Sequence, residues 1–213
     1  FGHGSTALGE VLRVYEDAGV IRTFAFHNEV AMAHAATALK WQYGETPAVL
    51  TSIGPGGLQA MAGSLTSITN GIGLYHIYGY ETTFGESHNL QQLPKQEQAV
   101  FSKITALMGE SYQLHTGEAM RDMLKAGSSR VFHRFKAGPF YVHLPMNVQP
   151  EVISGFNLNA LPARGEAKVG PASNTHVEQA VALLRRHKRV FIKAGGGARN
   201  YGAELRRLAE TIG

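Results

Sequence analysis

Glu29 stands where an apolar run gives way to a helical pattern, and Val30, Ala31, Met32 and Ala33 follow it. A carboxyl group among small apolar side chains is pushed up in pKa when buried, which suits it to donate a proton or hydrogen-bond near neutral pH. An acid in the first turn of any helix is also stabilised by the helix dipole, so position alone leaves both explanations open. The second candidate is the turn Gly54-Pro55-Gly56-Gly57 after the run PAVLTSI. Glycines after a buried strand bring backbone N–H groups close to a ligand, and the next helix N-terminus favours anions. A tight strand-to-helix turn needs the same residues.

Other chemistries find less support. The chain has ten histidines. His3, His27, His34, His76, His88, His115, His133 and His143 fall on different elements, and none forms the i, i+4 pair of a helical zinc site. Gly195 and Gly197 start a dinucleotide-like spacing that Asn200 breaks. Gly197 and Gly202 have phosphate-loop spacing, but Ala203-Glu204 follows where Lys and Ser or Thr are required. No serine lies in a G-x-S-x-G elbow. The residues alone define a ligand-binding α/β domain with one candidate acid.

The elements that must position these residues alternate between strand and helix. Ser5 caps a helix to Asp17, with Leu8, Val11, Leu12 and Tyr15 on one face. Residues 21–26 read as a short strand, and His27-Asn28-Glu29 opens a helix running to Gly44. A buried-type strand at 47–53 leads into a third helix that stops at Asn70-Gly71. Strands follow at 72–78 and 139–144, with a polar, aperiodic stretch at 79–95 and helical spacing through Met120, Leu124, Val131 and Phe135. This alternation predicts an α/β fold, a parallel sheet flanked by helices on both faces, over residues 1–150. Residues 151–170 read as a linker rich in Gly, Pro, Asn and Ala. From 171 to 213 a helix capped by Thr175 and Glu178, a strand at 190–193, a glycine turn and a final helix begin a second α/β domain. The opening Phe1-Gly2-His3-Gly4 reads as the end of a strand whose earlier part is missing, and the sequence stops partway through the second domain.

Composition bounds the rest. With 213 residues, 44% hydrophobic and 17% charged, the chain can bury a core, which excludes general disorder. No cysteine means no disulfide framework and no Cys-ligated metal. No apolar run approaches a membrane span. The formal charge is only +4, and the one basic cluster, Arg185, Arg186, Lys188 and Arg189, closes a helix. Neither nucleic acid nor membrane is expected as a partner, and a cytoplasmic location is.

Taken together, several stretches resemble the N-terminal part of thiamine-diphosphate-dependent enzymes of the acetolactate synthase-like superfamily. They are Phe1-Gly2-His3-Gly4, Asn28-Glu29-Val30-Ala31-Met32-Ala33-His34-Ala35-Ala36, Thr51-Ser52-Ile53-Gly54-Pro55-Gly56, Leu90-Gln91-Gln92 and Ala137-Gly138-Pro139 through Leu144-Pro145. The resemblance implies a pyrimidine-binding domain over 1–150 and the opening of the central domain at 171–213. It further implies that Glu29 hydrogen-bonds N1′ of the cofactor's aminopyrimidine and so favours the imino tautomer that deprotonates the thiazolium carbon. Gly54, Pro55 and Gly56 would approach the cofactor or a partner subunit with their backbone. His3 and Gly4 would line the substrate side, and Gln91 or Gln92 would contact the reacting carbonyl.

The implied substrate is a 2-oxo acid or a diketone, acted on by C–C cleavage or ligation. F-G-H-G, N-E-x-x-M-A-H-A-A, L-Q-Q and G-G-G-A-R most resemble the branch that hydrolyses cyclic diketones in inositol breakdown. A noncatalytic binding module on the same fold is the alternative from another class. The family's G-D-G stretch, which holds Mg²⁺ and the diphosphate, has no counterpart here. The metal and diphosphate would therefore be held elsewhere, this chain alone would be an inactive half-site, and the whole would be a homodimer or homotetramer. FAD in the central domain is left open.

Overall fold

The computed structural model describes residues 2–84, 97, 99–163 and 170–212. The chain divides into two compact units, 1–166 and 167–213. No helix among the described residues is long and apolar enough to cross a membrane.

The first unit is built on four strands, β1 (Ala48–Thr51), β2 (Tyr75–Tyr80), β3 (Glu110–Gln113) and β4 (Phe140–Pro145), in the order β1-β2-β4-β3. Every pairing is parallel, with Val49 opposite His76, His76 opposite Tyr141, and Ser111 opposite Tyr141. Its helices are α1 (Thr6–Asp17), α2 (Glu29–Tyr43), α3 (Pro55–Gly63), α4 (Leu65–Thr69), α5 (Val100–Ala106) and α6 (Met120–Val131). The crossovers β1→β2 and β3→β4 run across the sheet in opposite directions. Right-handed crossovers then place their helices on opposite faces. Two apolar layers result. Val49, Leu74, Tyr78 and Tyr141 pack with Ala36 and Ala60 of α2 and α3. Phe140, Val142, Leu144 and Leu114 pack with Met123 and Val131 of α6. β4 is buried at all six positions, as a central strand covered on both faces must be.

Two local expectations differ from what forms, and two elements form where none was expected. Residues 21–26 form no strand. The Thr23 backbone N–H donates instead to the Glu16 carboxylate at 2.8 Å, a local bond that competes with a ladder. The periodicity through Phe135 ends at Val131, because the chain turns where His133 Nδ1 accepts from the N–H groups of Phe135 and Lys136 at 3.1 and 2.9 Å. β3 and α5 have no strong sequence signal: β3 is the short polar run ESYQ, held by pairing with β4.

The second unit holds α7 (Asn174–Arg185) and α8 (Gly202–Ile212), separated by a 3-10 turn at Gly196–Tyr201. Ser173, not Thr175, caps α7, its side chain accepting from the His176 N–H. Residues 190–193 are not a strand, and among the described residues of this unit no strand exists for them to pair with.

Candidate functional site

The carboxyl ends of β1, β2 and β4 gather most of the residues singled out in the sequence. Parallel sheets of this kind bind ligands outside that edge. Gly54 ends the β1 connection with φ 65° and ψ −117°, a conformation open only to glycine, and it is buried. Pro55 then takes the first helical position of α3, where its fixed φ suits the helix and its missing N–H costs nothing.

Glu29 is the first residue of α2, behind the cap Asn28, whose side chain accepts from the Ala31 N–H at 3.0 Å. α2 and α3 lie close because Gly63 has no Cβ; one would stand 2.8 Å from Ala33 Cβ and from the Val30 carbonyl. Gly63 ends α3, so that end of α3 lies against the first turns of α2, and it is the Glu29 side chain that reaches the start of α3. A Cβ on Gly56 would stand 3.4 Å from Glu29 Oε1 and 3.6 Å from Thr51 Cβ. Glu29 is half-buried rather than enclosed.

His3 and Gly4 lie on a 3-10 turn, His3–Ser5, seated across the same edge. His3 is exposed while Gly4 and Ser5 are buried. The Gly4 N–H donates to Ser52 Oγ at 3.2 Å, and Gln149 Nε2 donates to the Gly4 carbonyl at 2.7 Å. A Cβ on Gly79 would stand 2.0 Å from that carbonyl, so only glycine at the end of β2 lets the turn sit there. Gln91 and Gln92 lie outside the described residues. The structure thus joins Glu29 to Gly56, and Gly4 to Ser52 and Gly79.

Sequence reading missed Ser52 and Gln149 as supports and Glu81 as a buried acid just past β2, 1% exposed. It also missed a buried polar face. On the side of the sheet under α2, α3 and α5, His76 Nδ1 meets the Tyr78 hydroxyl at 3.0 Å, Tyr141 meets Ser64 Oγ at 2.6 Å, and His143 Nε2 meets Thr105 Oγ1 at 2.7 Å. Burial pushes His76 down to about 3 and His143 down to about 4, so both imidazoles are neutral. Burial also raises Tyr78 and Tyr141. The period-2 alternation of His and Tyr in YHIYGY and FYVHLP was the available signal. A small crevice under the glycine turn is lined by Gly54, Gly57, Leu58, Tyr78, Tyr80 and His143. Among the described residues, no group of three or more His, Asp or Glu could hold a metal ion.

Comparison with known proteins gives the class first. The chain is similar along nearly its whole length to thiamine-diphosphate-dependent enzymes of the acetolactate synthase-like superfamily. In particular, it is 29% identical over 223 residues to 3D-(3,5/4)-trihydroxycyclohexane-1,2-dione hydrolase of Bacillus licheniformis, covering 99% of this chain and 34% of that protein. The same enzyme of Clostridium tetani is 27% identical over 231 residues, covering 100% of this chain and 34% of the relative. A 2-hydroxyacyl-CoA lyase of Arabidopsis thaliana is 28% identical over 209 residues, 91% of this chain and 34% of the lyase. The chain therefore spans about a third of the length of these relatives. No protein-family profile matches it.

Proposed function

We propose that residues 1–150 are the pyrimidine-binding domain, 151–170 a linker and 171–213 the opening of the central domain of a cytoplasmic thiamine-diphosphate enzyme. It would cleave or form a C–C bond next to a carbonyl, as a homodimer or homotetramer. The observation that carries this reading is the half-buried Glu29 carboxylate beside the Cβ-free face of Gly56, in a chain whose relatives use that cofactor.

The residues fit the group. A Cβ at 56 would come into ordinary contact with Oε1, so glycine there leaves the space beside the carboxylate and the α3 N-terminal backbone free for a flat heterocycle. When bound, the cofactor supplies the electron sink for cleaving or forming a bond at a carbonyl carbon. Glu29 would hold a proton at Oε1 against a ring nitrogen of the pyrimidine. The backbone of Gly54, Pro55 and Gly56 would pack against the ring, and Gly54 fixes the direction of that turn. His3 and Gly4 would line the substrate side, with Gln91 or Gln92 reaching the carbonyl. Mg²⁺ and the diphosphate would be held by a domain outside this chain.

The relatives named for trihydroxycyclohexane-1,2-dione hydrolysis support a cyclic diketone over an acetolactate synthase-type carboligation. The test assays the complete enzyme on trihydroxycyclohexane-1,2-dione and on pyruvate, with and without thiamine diphosphate and Mg²⁺. Cofactor-dependent consumption of one substrate is expected; no cofactor binding and no turnover of either would refute the reading.

A further inference from the structure

We infer that Gln149 is a positioning residue that sets the place of the His3-bearing turn at the carboxyl edge of the sheet. This deepens the functional reading above and rests on it, because the turn matters to catalysis only if His3 faces substrate.

Gln149 follows β4 and is only partly exposed. Its one amide group makes two donations, to the Leu144 carbonyl at 2.9 Å and to the Gly4 carbonyl at 2.7 Å. The first is local and ties the chain after β4 back to the strand. The second spans 145 residues of sequence and reaches the carbonyl next to His3. Both N–H bonds of the amide are thereby committed to carbonyl acceptors. An acid of the same shape at 149 would face those two carbonyls with no proton to give. A methionine would fill the space and donate nothing.

The other ties on the turn come from different elements. Ser52, just past β1, accepts from the Gly4 N–H. Gly79 of β2 leaves room for the Gly4 carbonyl, which has to come within what would be Cβ contact. Ser5 is fully buried, and its N–H donates to the Gly2 carbonyl at 3.0 Å. Of these ties, the Gln149 amide is the one side-chain hydrogen bond to Gly4 from the β4 side. The amide thus couples the position of His3 to the strand at the middle of the sheet. Misplacing a group that orients substrate by about 1 Å can cost on the order of 10²-fold in rate.

The experiment uses the complete enzyme with Gln149→Glu and Gln149→Met, and reads two things. Hydrogen–deuterium exchange should speed up at residues 2–6 by 10-fold or more in both variants, with the amides of α2 and α3 unchanged. Steady-state kinetics should show kcat/KM falling ~10–100-fold, on whichever of pyruvate or the cyclic dione the wild-type enzyme consumes. The dissociation constant for thiamine diphosphate should stay within twofold. Unchanged exchange at residues 2–6 would overturn the positioning role whatever the enzyme's reaction. Faster exchange with normal kcat/KM would overturn its link to catalysis. Cofactor affinity lost together with kcat/KM would make Gln149 a general structural residue and also overturn it. If one variant does not fold, the other decides. Failure of the functional reading is seen separately, as a wild-type enzyme that does not bind the cofactor.

Discussion

Lowering the pH from 7.5 to 5 should strip the fold of a large part of its stability through two residues, His76 and His143. Both are essentially fully buried on the central strands, and the rings against them are the phenols of Tyr78, Tyr80 and Tyr141. Their folded pKa values, about 3 and about 4, lie below the ordinary 6.5 that applies once the chain unfolds. The unfolded chain therefore binds more protons at acid pH. Stability is full above about pH 7.5 and falls as the pH drops through 6.5 toward 3–4. At pH 5 each imidazole withdraws roughly 2 kcal/mol, about 4 kcal/mol together. That is a large share of the ~5–15 kcal/mol that holds a domain folded. The assay is urea unfolding by far-UV circular dichroism at pH 7.5, 6.5 and 5.0, for the wild type and for His76→Phe, which keeps a ring in the space. Ordinary carboxylates titrate alike in both proteins, so their difference isolates the histidine. The wild type should lose ~2 kcal/mol relative to the variant between pH 7.5 and 5. Parallel curves would refute the reasoning.

Replacing Gly54 by Ala forces a side chain into φ 65°, ψ −117° and should cost ~1–3 kcal/mol by denaturant unfolding. An unchanged midpoint would mean that the turn relaxes freely. Ser64→Ala leaves the buried Tyr141 hydroxyl without its 2.6 Å partner and should cost about 1–3 kcal/mol, read as a lower urea midpoint. Sedimentation of the complete enzyme should show a dimer or tetramer at micromolar concentration; an active monomer would contradict the proposed assembly.

The parts of the fold that were legible in sequence are those specified locally. Asn28 before Glu29, Gly44 at the end of α2 and Pro55 after Gly54 each carry a capping or turn chemistry that works whatever packs around them. Strand identity was less legible, because pairing needs a neighbour. Residues 21–26 look like a strand and form none, while ESYQ does not look like one and pairs with β4. The same division holds at the site. Glu29 and the glycine turn stand out by type and neighbours, and His3 only through the resemblance to the family. Ser52 and Gln149 act through contacts 48 and 145 residues away, which spacing along the chain does not reveal. The His and Tyr alternation was visible, but only the cover of α2, α3 and α5 turns it into a buried, uncharged face.

The most direct test of the central claim concerns Glu29. The complete enzyme is loaded with thiamine diphosphate and Mg²⁺, and exchange of the cofactor's C2 proton is followed by quench-flow NMR in wild type and Glu29→Gln. Gln keeps the size and a hydrogen-bonding group and removes the ionisable proton. Loss of a positioned acid–base group costs ~10²–10⁴-fold, so exchange should slow by that factor while cofactor affinity falls far less. Were Glu29 only an acid favoured by the helix dipole, the change would be ~0.3–1 kcal/mol in stability. Exchange at the wild-type rate in Glu29→Gln would contradict the account.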